Sequence, residues 1–331
     1  MQAGKIVVVT GASAGIGRAT ALAFGRRGWK VALIARGTEG LEAAAQEIRR
    51  IGAQAMAIEA DVADHRLIEA AAERVEREWG AIDVWVNNAM ATIFSPLLEI
   101  SPDEFRRATE VTYLGSVWGT LAALKRMSAR DRGTIVQVGS ALAYRSIPLQ
   151  APYCGAKSAL RGFIDSLRSE LIHRGSGVHL TMVQLSAFNT PQFDWGRNRM
   201  GKRAKPLGKI FAPELAAEAI YWAAQHKRRE VWVGFPAVQA ILGTRVIPGV
   251  LDWWLAIRAY GGQHTDEPLP EDYRDNLHAP VAGDHGARGR FGNEALRFSL
   301  QFWLSIHLPS VVMACLALVL ALAVWLNNVY S

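Results

Sequence analysis

Cysteine is scarce: the 331-residue chain holds two, Cys154 and Cys315. They lie far apart in sequence, which excludes a disulfide framework, points to a reducing compartment and leaves no thiol set for structural zinc. His264, His278, Asp284 and His285 fall in one polar stretch, but their spacing fits no metal-ligand pattern, so no metal is expected. Internal repeats and low-complexity tracts are absent. Acid is in mild deficit, 30 Asp+Glu against 37 Lys+Arg. The resulting charge of +7 suits an anionic cofactor, anionic lipid or nucleic acid and selects none of them. No nucleic-acid recognition motif accompanies it, so nucleic acid is not an expected partner. The first residues lack a charged segment followed by a long apolar run, and no signal peptide is expected.

Charge is missing altogether after Arg297. Residues 308–326 are a 19-residue uncharged run, LPSVVMACLALVLALAVWL. As a helix it is about 28 Å long, close to the thickness of a bilayer's hydrocarbon core. Arg288, Arg290 and Arg297 precede it, and Trp303 and Trp325 are placed for the two interfaces. A single-pass C-terminal membrane anchor is expected, with the larger part of the chain cytoplasmic. The alternative is a buried or oligomerising apolar helix.

Half of the residues are hydrophobic, enough for a sizeable core. Apolar, β-branched runs at 6–9, 31–34, 55–58, 84–86, 134–138, 178–183 and 231–233 alternate with helical stretches near 15–28, 38–51, 64–79, 102–129, 151–174 and 213–226. The alternation predicts an α/β fold, a doubly wound parallel sheet of about seven strands covered on both faces. Pro102 and Pro213 suit first-turn positions of helices. The expected organisation is a catalytic domain over 1–235, an extension over 236–297 and an anchor over 298–331. Within the extension, residues 234–262 are apolar, with Trp253-Trp254 and only Arg245, Asp252 and Arg258 charged. Within them Val238–Ile257 suits a second membrane-surface contact or a core or dimer-interface helix pair, interrupted at Pro248-Gly249. Residues 263–292 are polar and irregular, fit either to wrap the domain or to link it to the anchor.

The first strand runs into Thr10-Gly11-Ala12-Ser13-Ala14-Gly15-Ile16-Gly17 and then a helix. Such a turn presents backbone N–H groups at a helix N-terminus, where a pyrophosphate can sit. The second strand ends at Arg36, with no acid until Glu39. An acid at this place bonds the ribose 2′-OH of NAD, whereas Arg accepts a 2′-phosphate, so NADP is favoured. Tyr153 and Lys157 are spaced i, i+4 on one helix face. A nearby ammonium favours the phenolate and suits the phenol to proton transfer at a carbonyl or alcohol oxygen. Ser140, at a strand end, can orient that oxygen.

Together, Thr10–Gly17, Asp61-Val62, Asn87-Asn88-Ala89, Ser140 and Tyr153-x-x-x-Lys157 resemble the short-chain dehydrogenase/reductase family in order and spacing, over about residues 4–235. The resemblance implies a Rossmann-type sheet and NAD(P)-dependent hydride transfer. It implies Tyr153 as general acid/base, Lys157 as nicotinamide-ribose ligand that lowers the Tyr153 pKa, and Ser140 as holder of the substrate oxygen. It implies cofactor contacts at Thr10, Gly11, Ser13, Gly15, Ile16, Gly17, Asp61, Val62, Asn88 and Ala89, with Asn87 supporting the central strand. Thr190 is the candidate for the nicotinamide amide by position. Family members often pair through their fourth and fifth helices, so a homo-oligomer is implied too.

Three departures stand out. Met90 replaces the glycine of the usual Asn-Asn-Ala-Gly. Thr112 stands where the family often has an Asn that holds a water of the proton relay, and its hydroxyl makes it the fourth candidate catalytic residue beside Ser140, Tyr153 and Lys157. The Pro-Gly after the sixth strand is replaced near Ser186-Ala187. Beyond that strand come Phe188, Phe193 and Trp195, then Arg197, Arg199, Lys202, Arg203, Lys205 and Lys209 without an acid between them. This basic stretch reads as a mobile lid meeting anionic lipid or an anionic substrate handle, or as a solvated loop. The reading as a whole is a membrane-anchored NADP(H)-dependent oxidoreductase acting on a carbonyl or secondary alcohol of a lipophilic small molecule. A cofactor-binding scaffold or sensor and an epimerase or dehydratase remain as alternatives.

Overall fold

The computed structural model describes residues 4–308 and 313. The chain runs through β1 (Ile6–Thr10), α1 (Gly15–Gly25), β2 (Lys30–Ala35), α2 (Thr38–Arg50), β3 (Ala55–Glu59), α3 (His65–Trp79) and β4 (Val84–Asn87). It continues through α4 (Pro102–Thr109), α5 (Gly115–Ser128), β5 (Gly133–Val138), α6 (Ala151–His173), β6 (Val178–Leu185), α7 (Gln192–Trp195), α8 (Pro213–Gln225) and β7 (Glu230–Val233). These strands form one sheet in the order β7-β6-β5-β4-β1-β2-β3. All neighbours are parallel. Chain order reverses between β1 and β4, and ligands bind outside the carboxyl ends of strands at such a switch point.

The sequence of β1 shows why the sheet is buried on both sides. Val7 and Val9 point into a cluster with Phe24, Leu41, Ile48 and Ile220 under α1, α2 and α8. Ile6 and Val8 point the other way, into a cluster with Ile68, Val75, Leu160 and Ile164 under α3 and α6. Side chains alternate faces along a strand, so a strand covered twice is apolar at every position. Each fully buried Leu, Ile or Phe here contributes roughly 1.5–3 kcal/mol.

The helix expected over 102–129 is divided. Ser101 and Glu104 form a reciprocal capping box, with Pro102 in the first turn. A π-helical turn, Glu110–Leu114, then separates α4 from α5. It carries Thr112, whose hydroxyl donates to the carbonyl of Ala91 and accepts from its N–H, both at 3.0 Å. The extra residue of the turn thus ties the helix to the loop that leaves β4.

The apolar stretch after β7 folds as α9 (Phe235–Val246) and α10 (Pro248–Gly262), broken at Ile247-Pro248 as the proline requires. Only Ala237, Ile241, Leu255 and Ala259 of these helices are buried, so the pair is not an ordinary core element. The chain then turns back onto the domain. His264–Pro268 pairs antiparallel with Lys202–Ala204, and residues 276–291 cross the carboxyl ends of the strands. Phe302, in a helix over 300–308, is buried in the cluster that holds Val7 and Val9. Among the described residues no helix is long and apolar enough to cross a membrane. The expected span at 308–326 lies outside them except for Leu308 and Met313.

A buried polar network joins β4, β5 and α5. The Asn87 and Gln137 amides donate to Thr120 Oγ1 at 3.0 and 2.7 Å, and Asn87 Oδ1 accepts from Trp85 Nε1 at 2.8 Å. Thr120→Val, nearly isosteric, leaves two buried N–H donors without their acceptor. It lowers the unfolding free energy by about 2–4 kcal/mol at an unchanged urea m-value. A loss below about 0.5 kcal/mol would show that this network adds little.

Candidate active site

The first part of the site is a cleft at the ends of β1, β2 and β4. Gly11 and Gly15 have φ of +65° and +58°, which the turn needs and which only glycine adopts freely. A Cβ at Gly17 would collide with the Gly11 carbonyl and the Asn88 amide. The turn is sealed to β4 by side chains. Thr10 Oγ1 accepts the N–H groups of Asn88 and Ala89 at 3.0 and 3.1 Å, and Asn88 Nδ2 donates to the Thr10 and Gly11 carbonyls. Gly11, Ser13, Gly15, Ile16, Arg36, Asp61, Val62, Asn88, Ala89 and Thr190 line this cleft together. Thr10 and Gly17 support it from behind.

The second part is an adjoining cavity of about 920 Å³ that Ser140, Tyr153 and Lys157 line. Lys157 Nζ donates to the carbonyl of Val138 at 2.6 Å and stands 5.7 Å from the centre of the Tyr153 ring. Ser140, on the turn after β5, accepts from the N–H of Leu142. Burial dominates the electrostatics here. It pushes the Tyr153 phenol up to about 12, opposed by hydrogen bonding with Ser140. It also pulls the Lys157 ammonium down to about 8. The expected lowering of Tyr153 by its lysine is not found: the phenol is shifted the other way, because loss of water disfavours both charged forms. Thr112 lines neither cavity; its hydroxyl is fully buried and engaged by Ala91. Met90 lines both, at their junction.

Two arrangements escaped sequence reasoning. One is the origin of the outer wall of the cleft: Asn276, Pro280, Val281, Gly283 and His285 of the extension line it. Arg36 donates to the carbonyls of Asn276, Leu277 and His278, and Asp61 pairs with Arg107. No motif marks this segment, and only its polar, irregular composition was available as a signal. The other is the state of the basic stretch, which is tied down rather than free. Arg197 and Arg199 pair with buried Glu104, Arg197 also with Asp275, Lys202 with Asp266 and Arg203 with Glu267. The arginines hold the Glu104 carboxyl down at about 2.

This geometry places the protein in a class, and comparison with known proteins agrees. The chain belongs to the short-chain dehydrogenase family, whose model, described as short chain dehydrogenase, matches residues 5–198. It is 30% identical over 283 residues to the oxidoreductase YxnA of Bacillus subtilis strain 168, covering 85% of this chain and 80% of that one. It is also 30% identical over 247 residues to estradiol 17-beta-dehydrogenase 11 of Mus musculus, covering 74% and 80%. Among solved structures it resembles a metagenomic short-chain oxidoreductase in complex with NADP. The TM-score is 0.60 at 29% identity, with 70% of this chain and 97% of that one covered. The chain is thus an NAD(P)-dependent dehydrogenase or reductase acting on a small molecule.

The Lys157 value carries a prediction with a definite sign. About 8 in the folded protein is below the roughly 10.4 of an unfolded lysine. Between these values the unfolded state binds more protons, so the stability of the wild type rises with pH there. Relative to Lys157→Met, which has no such group, the wild type gains roughly 2 kcal/mol between pH 7.5 and 9.5 in urea unfolding. A difference independent of pH would mean that Lys157 titrates normally.

Proposed function

We propose that this chain is an NADP(H)-dependent, membrane-associated oxidoreductase that interconverts a carbonyl and a secondary alcohol on a lipophilic substrate. The observation that carries this reading is the convergence of Ser140, Tyr153 and Lys157 on the wall of a large apolar cavity that adjoins the glycine-turn cleft. The positive-φ turn and the space kept free at Gly17 fit a nicotinamide dinucleotide. When bound, it supplies or accepts the hydride.

The protein's own residues handle the oxygen. With its phenol near 12, Tyr153 is protonated at neutral pH and donates that proton to the carbonyl oxygen during reduction. The ammonium of Lys157, charged below about 8, stabilises the phenolate left behind. The Ser140 hydroxyl donates to the same oxygen and holds it in place. Thr112 is a positioning residue that fixes the loop of Asn88 to Ala91 through its two bonds to Ala91. Arg36 at the end of β2 favours the 2′-phosphorylated cofactor, in keeping with the NADP complex of the metagenomic relative.

Substrate character follows from the walls. Leu142, Ile147, Phe188, Phe193, Phe235 and Trp254 line the cavity. A cavity of this make suits a hydrophobic molecule, consistent with the steroid named for the mouse relative. The mouth lies between α9 and α10, where Phe235, Ile247, Val250 and Trp254 are both cavity-lining and solvent-exposed. Val246 and Trp253 beside them are 77% and 70% exposed. An apolar helical hairpin of this kind rests in a lipid interface, and substrate enters from the lipid. The uncharged run at 308–326 is the proposed single-pass anchor, with the catalytic part, 1–235, on the cytoplasmic side. Exposed Phe105 on α4 and Leu121 on α5, the two halves of the expected fourth helix, and Ile172 on α6, the expected fifth, suit pairing of two copies.

The test is deuteride transfer from C4-deuterated NADPH to compounds of a membrane lipid extract, read by mass spectrometry. Tyr153→Phe lowers the rate 100- to 10,000-fold while NADPH affinity stays within about threefold. Equal labelling by wild type and variant would sink the assignment of Tyr153. The interface reading has its own check: Val246→Glu with Trp253→Glu raises KM at least tenfold for a vesicle-held substrate and leaves kcat on a water-soluble carbonyl unchanged. An unchanged KM would place the hairpin away from lipid.

A further inference from the structure

We propose that residues 276–286 are a clasp that forms part of the cofactor site itself. The segment closes over the end of the cleft marked by Arg36 and Asp61, and it controls how fast the dinucleotide leaves. The inference needs only a nicotinamide dinucleotide in the cleft. It does not rest on the NADP preference proposed above.

The segment is pinned at both ends and faces the cleft between them. At its start Leu277 is fully buried in the cluster that contains Val62, Ala108 and Val111. Its carbonyl accepts from Arg107 Nε at 3.1 Å, and Arg107 also pairs with Asp61. The carbonyls of Asn276, Leu277 and His278 together accept from the Arg36 guanidinium. At its end Asp284 pairs with Arg18, a side chain only 4% exposed that also binds Glu47. The Gly283 N–H donates to Glu39, and the Gly286 carbonyl accepts from the N–H of Gly15 at 3.1 Å. Between the pins, Pro280, Val281, Gly283 and His285 face the same cleft as Gly11 and Gly15. The His285 ring also packs edge-on against Trp195, another lining residue, at 4.7 Å.

A ligand in this cleft therefore lies between the glycine turn and the clasp. The clasp wall, made of Asn276, Pro280, Val281, Gly283 and His285, brings no carboxylate into the cleft: Asp284 is turned to Arg18, which holds its carboxyl below the usual range. Arg36 is held by backbone carbonyls, which fix the guanidinium at its end of the cleft without neutralising its charge. Departure of the ligand requires the pins to release, so bound cofactor and closed clasp stabilise one another.

The experiment uses the full chain with NADPH and NADH in parallel. In hydrogen-exchange mass spectrometry, saturating cofactor slows exchange at the amides of 277–286 at least tenfold. In stopped-flow fluorescence, Asp284→Asn and Leu277→Ala each speed cofactor dissociation at least fivefold and change association less than twofold. Should Leu277→Ala fail to fold, the partly exposed Asp284 position decides. Dissociation rates within twofold of wild type would overturn the clasp. Faster exchange at 277–286 on binding would overturn it as well, since the segment would then be displaced rather than closed. Tighter binding of NADH than of NADPH would overturn the reading of Arg36 alone, because the clasp is read equally well with NADH.

Discussion

Everything in the site hangs on the joint between the glycine turn and the end of β4. Thr10 contributes one hydroxyl and receives two backbone N–H groups, while the Asn88 amide bonds the carbonyls of Thr10 and Gly11. These bonds bring two loops from adjacent parallel strands so close that no Cβ fits at Gly17. The N-terminus of α1 is thereby aimed into the cleft. The neighbours inherit this placement: β2 carries Arg36 to one end of the cleft, and β5 and α6 carry Ser140, Tyr153 and Lys157 to the adjoining cavity. A parallel sheet is a rigid carrier for such a joint because both of its faces are packed.

Burial then sets the chemistry. Both Tyr153 and Lys157 lie where water is excluded, so each is driven toward its neutral form. For the phenol this means a proton held firmly at neutral pH. For the lysine it means a charge that survives at neutral pH with a small margin, helped by the Val138 carbonyl. The π turn at Glu110–Leu114 sits one layer back. It directs the Thr112 hydroxyl at Ala91 rather than at the cavity, and that bond stiffens the loop beside Met90.

What was legible in the sequence follows from what side-chain patterns encode. Strands buried on both faces read as apolar runs, and the run Ile6-Val7-Val8-Val9 coincides with the first four residues of β1. The i, i+4 spacing of Tyr153 and Lys157 and the glycine turn were equally visible, because helix geometry and steric necessity restrict those positions. Other features had no such signature. The clasp is made largely of backbone carbonyls and N–H groups, which every residue possesses. The pairing of Arg197 and Arg199 with Glu104 joins residues far apart in the chain, and a run of like charge reads as solvated until its partners are seen. The break at Glu110–Leu114 leaves helix periodicity almost undisturbed on either side.

The extension gains its meaning from serving both cavities at once. Its first part, α9 and α10, frames the mouth of the apolar cavity, and its later part walls the dinucleotide cleft. Between them Gln263 is fully buried and bonds Gln150, one turn before Tyr153, as well as the Pro148 carbonyl. The hairpin is therefore fastened to the helix start that carries the phenol. The hairpin cannot shift far without straining a buried amide pair. Hydride transfer needs the two cavities to be held in register, and one continuous extension that borders both supplies that register.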